Sequence, residues 1–139
     1  MRKIRNGIVF FFGFVVFLTT VGAGAAEPEH QFVKFTITTN KTGDRRMFVG
    51  AEGKIKGAIN PNINVKEWDV VEITLINGDD LHHHIAIPDF YIMSEVVSEK
   101  GKKTTITFVP FKKGEFVYYC LLEGHRAHGM EGKLIVSSR

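Results

Sequence analysis

Apolar and polar residues alternate with a period of two along several short runs of this chain, the pattern of a strand with one face in a core and the other in water. Val33, Phe35 and Ile37 share a face of the run 32–38, and Val71, Ile73 and Leu75 share a face of 69–76. In 103–109, Ile106 and Phe108 face one way while Thr105 and Thr107 face the other. Phe116, Tyr118 and Cys120 line one side of a further run, and a last strand is predicted from about Lys133 to Ser137. Turn-forming clusters separate these segments: Lys41-Thr42-Gly43-Asp44, Asn60-Pro61-Asn62, Asn77-Gly78-Asp79-Asp80 and Lys112-Lys113-Gly114. No long stretch has helical periodicity, and Ser94–Gly101 is predicted to hold no more than a short helical turn. About seven to eight short strands in a chain of this length predict an all-β, antiparallel β-sandwich.

The first residues have a different pattern. Arg2, Lys3 and Arg5 precede an apolar run from Gly7 to about Val21, followed by the small residues Gly22-Ala23-Gly24-Ala25-Ala26. A basic start, a short apolar stretch and an Ala-x-Ala-like end predict a secretory signal over residues 1–26, cleaved near Ala25 or Ala26. The run is shorter than the roughly 20 residues that span a bilayer, so an uncleaved anchor is the weaker reading and no lasting membrane insertion is expected. Residues 27–139 then form one domain, exported to the periplasm or an equivalent compartment.

This division alters the charge balance. The chain has 18 Lys and Arg against 15 Asp and Glu, but three of the basic residues lie in the leader and no acidic residue precedes Glu27. The remainder is formally neutral, so the basic pI is no argument for a nucleic-acid partner. The single cysteine rules out an intrachain disulfide. A lone thiol in an exported protein is an oxidation hazard unless it is buried or bound to metal.

That cysteine opens the segment Cys120-Leu121-Leu122-Glu123-Gly124-His125-Arg126-Ala127-His128-Gly129-Met130. A thiolate, an imidazole and a thioether on one short loop are the soft donors that a copper electron-transfer site takes, together with a second histidine. Leu81-His82-His83-His84-Ile85 offers three candidates. Strand alternation turns His83, Ile85 and Ile87 one way and His82, His84 and Ala86 the other. The apolar pair is the core-facing one, which selects His83 and leaves His82 and His84 as solvated strand-edge residues. Within the loop itself, spacing leaves both His125 and His128 open.

Tyr118-Tyr119-Cys120-x4-His125-x4-Met130, with Gly124, Gly129, Gly132 and Lys133, resembles the C-terminal motif of the cupredoxins, the blue (type 1) copper proteins. The loop spacing is most similar to the rusticyanin and auracyanin branch. Asn77-Gly78-Asp79 through His83-x3-Ile87-Pro88-Asp89-Phe90 is similar to the first-ligand segment of the same superfamily, in which the ligand stands five residues before the Pro. The resemblance covers roughly residues 47–137. It implies a Greek-key sandwich and one type 1 copper per chain held by His83, Cys120, His125 and a weak axial Met130. It also prefers His125 to His128. Two positions depart from the pattern: His84 stands where Asn, Ser or Asp is common, and Leu121 where Ser or Thr is.

The implied function is single-electron transfer in a respiratory or related chain, without enzymatic activity. Its partners would be redox proteins such as cytochromes, copper reductases or a terminal oxidase, docking briefly near His125 on a monomer. A patch of Gly124, Ala127, Leu121 and Leu122 is expected to surround that histidine. Copper carriage or storage, with His82, His84 and His128 as extra ligands, is one alternative. A copper oxidoreductase is another and would need a second metal with open positions. A binuclear copper centre would need a second cysteine in the loop, which this chain lacks.

Overall fold

The computed structural model describes residues 29–122 and 124–139. The predicted leader lies outside them. Among the described residues no helix is long and apolar enough to cross a membrane.

Among the described residues nine strands form two sheets. They are β1 (Phe32–Thr42), β2 (Arg45–Gly50), β3 (Ile63–Lys66), β4 (Val70–Ile76), β5 (Ala86–Ile87), β6 (Ile92–Met93), β7 (Lys103–Phe108), β8 (Gly114–Tyr119) and β9 (Glu131–Ser137). The first sheet has the order β2-β1-β4-β7 and the second β3-β9-β8-β5-β6. The count exceeds the expected seven to eight because β5 and β6 are two residues each, too short for alternation to register. Two neighbouring pairs, β1 with β4 and β3 with β9, run parallel within an otherwise antiparallel arrangement. Side-chain alternation is the same in parallel and antiparallel strands, so the sequence pattern cannot distinguish the two. The helical turn expected at Ser94–Gly101 is absent. Val97 instead forms an isolated bridge with His83, and the short 3₁₀ turns lie at Gly53–Ile55 and Pro88–Phe90.

The alternating apolar faces meet between the sheets. Ile37, Val71, Ile73, Leu75 and Ile106 of the first sheet pack with Ile63, Tyr118, Leu134 and Val136 of the second. Tyr118 is a large anchor here: it is fully buried and its hydroxyl donates to the Pro61 carbonyl at 2.7 Å. Its strand partner is Gly132, where any Cβ would overlap the tyrosine ring. A buried tyrosine without that bond would lose on the order of 1–3 kcal/mol through an unmet hydroxyl.

The register of the second sheet places the site. Ala86 pairs antiparallel with Tyr119, so the residues before β5 lie beside those after β8. The histidine triplet therefore meets Cys120 at one end of the sandwich. The approach from β4 is held just as tightly. Asn77 Nδ2 donates to the carbonyls of Leu81 and Val97, and Gly78 lies so close to the Thr39 carbonyl of β1 that a Cβ could not fit.

Candidate metal centre

Three donor atoms converge at that end. Among the described residues, His83, Cys120 and His125 form a group in which each offers a ligand atom within 4.8 Å of the others. Cys120 Sγ and His125 Nδ1 are 3.5 Å apart. The His83 and His125 rings pack at 5.0 Å between centroids with a 42° tilt. This is the spacing of donors that share one ion through bonds of about 2.0–2.3 Å.

Each side chain is positioned by its own backbone. Cys120 follows β8, and its N–H donates to the Met130 carbonyl at 3.3 Å. Met130 N–H donates in turn to the His125 carbonyl at 3.0 Å, so the loop closes on itself. Gly124 turns that loop with φ at +68°, and a Cβ there would crowd the His128 ring. His83 exchanges backbone bonds of 3.0 and 2.8 Å with Val97. Cys120, His83 and Met130 are buried and His125 is half-buried, so His125 is the edge of the set nearest solvent. Of the residues expected around it, Gly124, Ala127 and Leu121 are exposed and Leu122 partly so, and all four line one shallow depression together with the charged Arg126 and Glu131.

The hydrogen bonding of His83 discriminates between its two nitrogens. Nε2 lies 2.7 Å from Asp79 Oδ1. A carboxylate can only accept, so Nε2 carries the proton and Nδ1 keeps its lone pair. Nδ1 is the only buried side-chain nitrogen or oxygen without a partner among the described residues. An unmet buried acceptor costs free energy, and its presence beside a cysteine and a second imidazole fits a site built for a metal.

The electrostatics agree with neutral donors in the absence of metal. Burial pushes the Cys120 thiol up, opposed by backbone N–H groups of His84 and Leu122. Burial holds His83 below the usual imidazole range despite the Asp79 bond that raises it. His125 is lowered by burial and then by the neighbouring His83. Burial would raise Asp79, but its bonds from His83 and the Leu81 N–H hold it below the usual carboxylate range.

The remaining histidines divide. His82 is exposed, as expected. His128 is exposed, and its Nδ1 donates to the Gly124 carbonyl at 2.7 Å, which turns it to brace the loop rather than to join the cluster. His84 overturns the expectation of a solvated edge residue. It is only 3% exposed, and its Nδ1 lies 3.3 Å from Cys120 Sγ. Strict alternation fails because β5 begins only at Ala86, and residues 83–87 are all buried between the sheet end and the following loop. Asp79 was missed as well. Its spacing of four residues before His83 was available as a signal, but nothing in the sequence showed a carboxylate turning back onto the ring.

The cupredoxin-like domain model matches residues 10–136. The chain belongs to this family. Solved structures with the same fold include rusticyanin from Thiobacillus ferrooxidans, at 23% identity and a TM-score of 0.56 over 78% of this chain and 79% of that one. Auracyanin B matches at 14% identity and a TM-score of 0.56, covering 81% and 93%. A copper nitrite reductase from Nitrosomonas europaea matches at 26% identity and a TM-score of 0.62, covering 78% of this chain but 42% of that enzyme. A search of curated proteins finds no sequence match to this cupredoxin. The resemblance expected of residues 47–137 thus extends through the sandwich as a fold.

Proposed function

We propose that this cupredoxin is an exported type 1 copper protein that carries single electrons between redox partners, with His83, Cys120 and His125 as the strong ligands and Met130 as the weak axial one. The observation that carries the reading is the clustering of His83, whose buried Nδ1 has no partner, with a buried thiol and a second imidazole in a preformed frame. Copper bound there would supply a one-electron couple.

The protein's own residues supply the rest. Cys120 gives up its thiol proton on metal binding, so loading releases protons and weakens in acid. The sheet ends and the Asn77 bonds hold the two ligand segments in place before any metal arrives, which limits rearrangement between oxidation states. His125 lies at the solvent edge, and Leu121 and Ala127, exposed on the same loop and lining one depression, offer apolar surface for brief contacts with cytochromes, copper reductases or a terminal oxidase. The protein acts as a monomer and without a catalytic role of its own, in the periplasm or an equivalent exported compartment.

An absorption spectrum of the copper-loaded protein tests the reading. An intense visible thiolate-to-Cu(II) band with one copper per chain is expected. A colourless or pale protein would sink it. Tight binding with slow electron self-exchange would move the function to copper carriage, and a second bound copper would move it to an oxidoreductase.

A further inference from the structure

We propose that Asp79 is a positioning residue for His83 and the built-in counter-charge of the site, which biases it toward the oxidised metal. The inference rests on the copper reading above and concerns a residue outside the four ligands. Asp79 is buried, and every one of its contacts is specific. Oδ1 accepts from His83 Nε2 at 2.7 Å and from the Leu81 N–H at 2.9 Å. Oδ2 accepts from Thr39 Oγ1 at 3.0 Å, and the Asp79 N–H donates to Asn77 Oδ1 at 3.1 Å. The carboxylate therefore spans β1 and the ligand segment, and it is pinned from both.

Two consequences follow. The first is geometric: holding the proton on Nε2 fixes the ring orientation and leaves Nδ1 as the metal-facing atom. The second is electrostatic. The Asp79 carboxylate and the Cys120 thiolate together carry two negative charges. With Cu(II) the buried set is neutral; with Cu(I) it carries one uncompensated negative charge, which low-dielectric surroundings penalise. Asp79 thus stabilises the oxidised state and lowers the reduction potential.

Asp79→Asn tests this on the whole copper-loaded protein, because an amide oxygen can still accept from Nε2 while the charge is gone. The variant is expected to keep the visible band and to lose at least tenfold more affinity for Cu(II) than for Cu(I). A tenfold differential raises the one-electron potential by about 59 mV. Thr39→Val is the control: it loosens the carboxylate without removing its charge and should not raise the potential. An unchanged or lower potential in Asp79→Asn overturns the proposal, as does an equal rise in Thr39→Val, which would make the effect one of loosening. If Asp79→Asn fails to fold, the wild type still decides. In the Cu(I) form the His83 Nε2 proton should appear by NMR as a slowly exchanging, downfield resonance, and its absence overturns the assignment. A wild type with no visible band would instead fail the copper reading, so the two failures are distinct.

Discussion

His84 provides the sharpest test of how this chain sets its potential. Its Nδ1 lies 3.3 Å from Cys120 Sγ, with its ring buried. Toward a thiolate, which can only accept, that contact is an N–H···S hydrogen bond. Hydrogen bonds to charged groups contribute about 1.5–3 kcal/mol. Only the difference between oxidation states moves a potential. Cu(I) withdraws less charge from sulfur than Cu(II) does, so the thiolate accepts more strongly in the reduced state. If between a quarter and a half of the bond is differential, the effect is on the order of 0.4–1.5 kcal/mol. At 59 mV for each factor of ten in a one-electron equilibrium, that is about 15–65 mV. His84→Leu keeps an apolar volume of similar size and removes the donor. It should lower the potential by that amount and strengthen sulfur-to-Cu(II) donation, which moves the visible band. His84→Asn restores a donor and should recover part of the loss. Protein-film voltammetry and absorption spectra measure both. A potential that is unchanged in His84→Leu refutes the reasoning, and so does an equal fall in both variants.

Cys120→Ser should abolish the intense visible band, and a Ser variant that kept it would displace Cys120 from the site. His83→Ala and His125→Ala should each remove the wild-type spectrum, while His82→Ala and His128→Ala should leave it nearly intact; the reverse result for His125 and His128 would transfer the ligand. Met130→Leu should raise the potential and Met130→Gln, which offers a harder oxygen, should lower it, with no shift in either meaning that Met130 is core packing. In the metal-free protein, burial depresses His83, His84 and His125, so the unfolded chain takes up protons first as pH falls. Their stability contribution is present above the ordinary imidazole value near 6.5 and lost below it, so the thermal midpoint should fall between about pH 7 and pH 5; a flat profile would contradict the burial. Gly132→Ala drives a methyl into the Tyr118 ring and should cost about 1–3 kcal/mol in a denaturant melt, with a neutral outcome showing that the strand can shift.

Much of this protein is written in local patterns that can be read without any knowledge of the fold. The period-two runs at Val33–Ile37, Val71–Leu75 and Ile106–Phe108 became core faces because alternation in a strand depends only on the backbone. The nearness of Cys120 and His125 was legible because one loop carries both, so any compact path keeps them close. His83 was reachable through its apolar neighbours Ile85 and Ile87. Tertiary structure decided what depends on partners distant in the chain. Parallel pairing of β1 with β4 and of β3 with β9 leaves no mark on either strand alone. His84 became buried because the Ala86–Tyr119 pairing lays its segment over Cys120, which strand parity cannot foresee outside a regular strand. Asp79 acquired its place from Thr39, forty residues earlier on β1, and from the ring of His83 turned back upon it. Chain-local periodicity encodes which face a residue takes; the hydrogen-bond partner of a buried charge is set only when the sheets close around it.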